Sequence, residues 1–141
     1  MAGGWDCLKG SIRLLPKQVP VFPVYLFDID GTLLDSATDI CGAIQSAFEG
    51  HVPEPVPFDY LKTFIGYHLD VCFRDVLPHY SREQLDEMIQ AYRTAYPARG
   101  HAGTKLYPGI PEMLRELPGR KGTATTKGTP TTRAILEKFE L

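Results

Sequence analysis

The stretch from Val24 to Ser36, VYLFDIDGTLLDS, decides the fold of this 141-residue chain. Its first six residues form a β-rich apolar run, which predicts a strand, Val24 to Ile29, covered on both faces as in a parallel sheet. Asp30 and Gly31 then predict a turn, and Ser36 predicts the N-cap of a helix. A strand, a turn and a helix in this order predict the start of an α/β unit.

Two carboxylates stand at the carboxyl end of the predicted strand, where open α/β sheets bind their ligands. Asp28 and Asp30 are two residues apart, so their side chains share one face of an extended backbone while Ile29 points into the core. Neighbouring carboxylates repel, so one stays ionised and the other serves as acid and then base. The pair predicts phosphoryl transfer, with Asp28 as nucleophile, Asp30 as general acid/base and Mg²⁺ offsetting the negative charge. Gly31 would let backbone amides approach an anion, and Thr32 adds a hydroxyl.

Two other interpretations of the acidic stretch are weaker. An EF-hand loop that starts at Asp28 requires Gly at its sixth position and Glu at its twelfth, where this sequence has Leu33 and Asp39. A plain turn explains Gly31 but not a second acid at the end of an apolar strand.

Downstream, the hydrophobic spacing is helical for most of the chain. The first predicted helix runs from Ser36 to Gly50 and buries one apolar face, Ile40, Ala43, Ile44, Ala47 and Phe48. After the proline-rich segment 51–57, three apolar stripes predict three amphipathic helices: Phe58, Leu61 and Ile65; Leu69, Cys72, Phe73, Val76 and Leu77; Leu85, Met88, Ile89, Tyr92 and Tyr96. Ser81 and Gln84 form a capping box for the third.

The α/β pattern then resumes. A helix is predicted over 110–117 and a weak strand over 122–126. A last helix is capped by Thr129, has Pro130 in its first turn, and buries Thr132, Ile135, Leu136 and Phe139.

Composition excludes several classes of partner. Fifteen Lys and Arg against 17 Asp and Glu give a formal charge of −2 without a basic run, which argues against nucleic acid. No segment reaches the roughly 18 apolar residues of a membrane span, so no membrane partner is expected. Three widely spaced cysteines favour neither disulfides nor zinc and suggest a cytoplasmic protein. The four histidines (His51, His68, His79 and His101) form no helical pair and are expected at the surface or in turns.

The string FDIDGTLLDS resembles the first motif of the haloacid dehalogenase superfamily, in its phosphatase branch. The resemblance implies the same roles for Asp28 and Asp30, with both also binding Mg²⁺. The family's second motif matches Thr125 in TATTKGTPTT, whose hydroxyl would bind phosphate. The candidate phosphate-binding residues are Gly31, Thr32, Thr125 and Thr126. LYPGIPEMLREL and TTKGTPTTRAILEKF look most like phosphoglycolate phosphatases.

The resemblance also implies a domain organisation. The fold class is α/β, a partial Rossmannoid parallel sheet with an inserted helical cap. Residues 1–23 are expected to be a loosely ordered extension, residues 24–38 and 106–141 a partial core, and residues 39–105 the cap. Within the cap, Gly66 and Arg74 are candidates for substrate specificity.

Two further family motifs, a lysine and an acidic pair, find no match after Thr125. Lys127 lies too close to the second motif, and Lys138 is expected to face solvent. The chain is therefore expected to be C-terminally truncated and weak or inactive alone. The leading hypothesis is a Mg²⁺-dependent phosphomonoester hydrolase acting on a small phosphorylated metabolite. A phosphomutase with the same aspartyl chemistry and an inactive fragment remain alternatives, and oligomeric state stays open.

Overall fold

The computed structural model describes residues 20–141, so Cys7 and most of the predicted extension 1–23 lie outside the described part. This part contains four short strands and six helices, in chain order β1 (Val24–Phe27), β2 (Leu34–Asp35), α1 (Ala37–Phe48), α2 (Phe58–Lys62), α3 (Leu69–Val76), α4 (Arg82–Ala98), β3 (Lys105–Leu106), α5 (Ile110–Glu116), β4 (Arg120–Thr123) and α6 (Thr129–Lys138). Across residues 20–141, no helix combines the length and apolar character needed to cross a membrane.

Strands β1 and β4 pair in parallel, with Phe27 opposite Thr123. The predicted strand ended at Ile29, whereas β1 ends at Phe27. The reason is that the Ile29 carbonyl accepts from the amides of Leu33 and Leu34, both at 3.0 Å, so the chain is already turning there. The second strand covers 120–123 rather than 122–126.

The prediction that β1 is covered on both faces was wrong for the described chain. Leu26 is 66% exposed, and Val24 is exposed as well. Within residues 20–141, β1 has one neighbouring strand, β4. Its other edge and one face therefore lack partners there.

A second strand pair was not predicted. Strands β2 and β3 pair antiparallel, with Leu34 opposite Leu106 and Asp35 opposite Lys105. The pair joins the segment before α1 to the segment after α4. The helical stretch between them therefore leaves and re-enters the α/β part at the same place.

Helices α1 to α4, which we call the helical unit, share one apolar core. The predicted face of α1 is buried, and the Phe48 and Phe73 rings pack 5.1 Å apart. The predicted capping box of Ser81 and Gln84 is present. Helix α2 has only five residues, because the chain continues after Lys62 in tighter turns, with Ile65 donating to the Lys62 carbonyl at 3.2 Å.

A separate small cluster packs α6 against the turn after β1. Its buried members are Ile29, Leu33, Leu34 and Ile135. The predicted cap of α6 was one residue late: Gly128 is the N-cap, since the Thr132 amide donates to the Gly128 carbonyl at 2.9 Å. Ile29 is fully buried, as predicted from its alternation with the two acids.

Candidate functional site

The loops that follow β1 and β4 meet because parallel strands end at the same edge of a sheet. The first loop carries Asp28 and Asp30, and the second carries residues 125–127. Their closest polar contact is an ion pair: Lys127 Nζ lies 3.0 Å from Asp30 Oδ2, with side chains only 6% and 11% exposed. The sequence-predicted acid/base candidate is therefore held by a residue of the second loop.

Both oxygens of Asp30 are engaged. The Ser36 hydroxyl donates to Asp30 Oδ1 at 2.5 Å. Ser36 occupies the predicted N-cap position of α1, but its side chain makes no capping hydrogen bond. Its hydroxyl orients Asp30 instead, which links the start of α1 to the carboxylate.

Asp28 is half-buried and differently placed. Its Oδ1 accepts the Ile29 amide at 2.7 Å, and its Oδ2 makes no hydrogen bond to residues 20–141. One oxygen is thus fixed by the backbone, while the other is available as a nucleophile or a metal ligand.

A cleft of about 760 Å³ separates the helical unit from this pair of loops. Asp30 and the loop from Thr126 to Gly128 line one side. Aromatic and apolar side chains of the helical unit line the other, among them Phe64, Tyr67, Tyr92 and Tyr96. Such a volume falls in the range of small-molecule sites.

The two specificity candidates differ in position. Gly66 lines the cleft, in the turn between α2 and α3, where its φ of +96° favours glycine. Arg74 is exposed and is not among the lining residues, whereas Cys72 is. Residues two positions apart on a helix lie on nearly opposite faces. Because Cys72 faces the cleft, Arg74 points away from it. Arg82 and Arg93 line the cleft instead.

The candidate phosphate-binding residues are only partly brought together. Thr125 is half-buried and its hydroxyl accepts the Lys127 amide at 3.2 Å, while Thr126 lines the cleft. Gly31 has the φ expected of a turn glycine, +77°, but its amide donates to the Leu34 carbonyl at 2.8 Å. The Thr32 amide donates to the Ile29 carbonyl at 3.3 Å. In this conformation, both amides therefore donate to carbonyls within the turn.

Sequence reasoning missed the position of Lys127. Besides pairing with Asp30, its ammonium group donates to the Tyr96 hydroxyl at 2.9 Å and lies 4.4 Å from the centre of that ring. Burial and the nearby Asp30 carboxylate raise the pKa of Tyr96. The sequence feature that could have indicated this position is a lysine two residues after Thr125, the residue matched to the second motif.

Two other side chains lie near this contact. Lys138 is exposed, as expected, and its ammonium group also donates to the carbonyls of Gly100 and His101 at 2.7 and 2.8 Å. His101 was expected at the surface or in a turn; it lies in a turn and is buried there, with its Nδ1 unpartnered in the described structure. Burial is the main cause that lowers the pKa of His101, followed by Lys127 and Lys138.

The donor set at the site fits a partial Mg²⁺ shell. Among residues 20–141, no group of three or more His, Cys, Asp or Glu side chains is arranged to hold a metal. Mg²⁺, however, is commonly held by one or two carboxylates together with substrate phosphate and water. Asp28, with one oxygen not hydrogen-bonded in the described structure, supplies a carboxylate of that kind, whereas both oxygens of Asp30 already have partners in Ser36 and Lys127.

Comparison with known proteins places the chain in one family and identifies relatives of known name. The family model described as haloacid dehalogenase-like hydrolase matches residues 25–141. A tyrosine-protein kinase PtkA from Mycobacterium tuberculosis is 39% identical over 118 residues, which cover 81% of this chain and 39% of that protein. A phosphoglycolate phosphatase from Cereibacter sphaeroides is 33% identical over 126 residues, covering 83% and 57%.

Solved structures agree with the sequence matches. A predicted phosphatase from Clostridium acetobutylicum superimposes with a TM-score of 0.78 at 30% identity, over 86% of this chain and 57% of that one. The chain spans between about two fifths and three fifths of the length of these relatives.

Proposed function

Because the chain belongs to the haloacid dehalogenase-like hydrolases, we propose that it carries the nucleophile and acid/base half of a Mg²⁺-dependent phosphomonoester hydrolase of the phosphoglycolate phosphatase type. One observation carries the proposal. The loop with the two acids and the loop with the second-motif threonine meet at one sheet edge, joined by the pair of Lys127 and Asp30, and Asp30 and Thr126 of these loops line a cleft.

In the proposed reaction, the free carboxylate oxygen of Asp28 attacks phosphorus and the bond to the leaving oxygen breaks. Asp30 gives that oxygen its proton. Water then attacks the phosphorus of the aspartyl phosphate, Asp30 takes the proton of the water, and the bond to Asp28 breaks to release inorganic phosphate. Asp30 ends in its starting protonation state, as a turnover cycle requires.

The other residues have supporting roles in this proposal. Thr125 and Thr126 would donate hydroxyl hydrogen bonds to the phosphate, and the turn of Gly31 and Thr32 would border it. Residues 39–105 would act as a cap whose contact with the loops excludes water from the reaction. Mg²⁺, held at the Asp28 carboxylate, would stabilise the negative charge that develops on the phosphoryl oxygens.

A second candidate is transfer of the phosphoryl group to an acceptor other than water. The 39% identity to a protein described as a tyrosine-protein kinase favours it, and a phosphomutase would use the same aspartyl chemistry. Formation of the phosphoenzyme followed by its discharge separates the candidates. Discharge by water alone supports the hydrolase, whereas discharge only on addition of a tyrosine peptide or a sugar phosphate supports transfer.

The main test is phosphate release from 2-phosphoglycolate and p-nitrophenyl phosphate in the presence of Mg²⁺. Asp28→Asn should lower turnover by roughly 1,000-fold or more, since losing a covalent nucleophile costs at least that much. Asp35→Asn is the matched control, because Asp35 is exposed and its carboxylate only accepts the Ala37 amide. Because the chain is expected to be weak alone, the aspartyl phosphate is measured beside phosphate release. Absence of both from the unmodified chain, or full turnover by Asp28→Asn, contradicts the proposal.

A further inference from the structure

Lys127 connects two parts of the molecule that belong to different apolar clusters. On one side its ammonium group pairs with Asp30, in the loop after β1. On the other side it contacts Tyr96, which belongs to the core of the helical unit. The path from Asp30 through Lys127 to Tyr96 therefore crosses the cleft wall from the α/β part to α4.

Each member of this path is held in place. Tyr96 is 2% exposed and its ring stacks on that of Tyr92, with centroids 5.6 Å apart and planes 12° from parallel. Its position is therefore fixed by α4. Lys127 has its charge satisfied by a carboxylate, a hydroxyl and an aromatic face, and a buried ammonium group without such partners is costly. Moving Tyr96 away would thus leave Lys127 with fewer partners and release its hold on Asp30.

We propose that Lys127 is a positioning residue that orients the Asp30 carboxylate and is itself oriented by Tyr96, so that seating of the helical unit on the loop after β4 sets the geometry of proton transfer. The inference rests on the proposed function, because it assigns a purpose to the orientation of Asp30. It differs from a role in substrate binding, in which Lys127 would hold the phosphate, and from a purely structural role.

The first experiment tests the connection itself in the chain without ligand. The ring signals of Tyr96 are followed by NMR in tyrosine-labelled protein and assigned with Tyr96→Phe. Asp30→Asn should shift them, since Lys127 loses its anionic partner, and the shift should vanish when Asp30→Asn is made in a Lys127→Met background. Unshifted signals, or the same shift in both backgrounds, would overturn the inference whatever the activity.

The second experiment separates positioning from binding and from stability. Lys127→Met should lower kcat roughly 100-fold, the cost of a small misplacement of a catalytic group, without raising KM. Tyr96→Leu should change kcat in the same direction, Tyr96→Phe less because the ring face remains, and Lys127→Arg should restore part of the loss. Lys105→Met, at an exposed lysine of β3, is the control.

The outcomes distinguish the two hypotheses. A raised KM at unchanged kcat for Lys127→Met, or an unchanged kcat for Tyr96→Leu, overturns the positioning role while the phosphatase stands. Absence of both turnover and aspartyl phosphate in the unmodified chain overturns the proposed function and, with it, the catalytic purpose of the contact, even if the Tyr96 signals respond to Asp30→Asn.

Discussion

Replacing Asp39 should destabilise the chain more than replacing any exposed acid. Its carboxylate is 1% exposed and accepts from the Thr104 hydroxyl at 2.7 Å and the Gly103 amide at 2.9 Å, with Arg99 Nε at 3.4 Å. Hydrogen bonds to a charged group contribute about 1.5–3 kcal/mol each, and the partly exposed Arg99 adds little. Asp39→Ala leaves two donors without their acceptor, so we expect a loss of about 3–5 kcal/mol in the free energy of unfolding.

Urea unfolding followed by circular dichroism measures this loss, with the slope checked for constancy. Asp39→Asn keeps one acceptor oxygen and should lose less, about 2 kcal/mol, which keeps the prediction measurable if Asp39→Ala does not fold. The control is Glu87→Ala, at an exposed position of α4, which should stay within about 0.5 kcal/mol of the unmodified chain. If Asp39→Ala cost no more than this control, the contacts to residues 103 and 104 would not hold the helical unit at its base.

Three further predictions concern other parts of the molecule. Phe73→Ala removes a fully buried ring that packs on Phe48 and should cost about 3–5 kcal/mol in urea unfolding; a loss below about 1 kcal/mol would contradict the packing. Burial raises the pKa of Cys41 to about 11 and of Cys72 to about 12, so native protein at pH 8 should resist iodoacetamide at both, as read by mass spectrometry, with urea-unfolded protein as the reactive control. Because the pKa of His101 is lowered in the folded state, the unfolded state binds more protons as the pH falls, and stability present above about pH 6.5 should be lost on acidification. Asparagine tolerates the φ of +54° at this position, so His101→Asn should lose less stability than the unmodified chain between pH 7.5 and 5.5. Equal losses of stability in the two proteins would refute the assignment.

Periodic patterns were predictable from the sequence, and short or polar features were not. The apolar face of α1 and the capping box of α4 depend on residues three or four apart, so local spacing revealed them. Strands β2 and β3 have two residues each, too few to show an alternation. The predicted length of β1 was also wrong, because the carbonyl of Ile29 accepts hydrogen bonds within the following turn.

The same distinction holds for the candidate site. Asp28 and Asp30 could be identified from the sequence because they are two acids that follow an apolar strand. The partner of Asp30, Lys127, is 97 residues away along the chain, and nothing in its local sequence says which carboxylate it will meet. Ser36 shows the same limit, since a serine before a helix predicts a cap, whereas tertiary structure turns its hydroxyl toward Asp30.

The contacts between the helical unit and the α/β part have a physical character that bears on function. The apolar clusters of the two parts share no residue, so their relative position depends on directional polar contacts. Two of these join segments far apart in the sequence: Lys127 with Tyr96, and Lys138 with the His101 carbonyl. Hydrogen bonds of this kind can exchange with water at a small net cost, whereas separating a packed apolar interface exposes area at about 25 cal/mol per Å². Separating the two parts at a boundary built in this way would expose neither apolar core, and the charges of Asp30 and Lys127 lie directly on it.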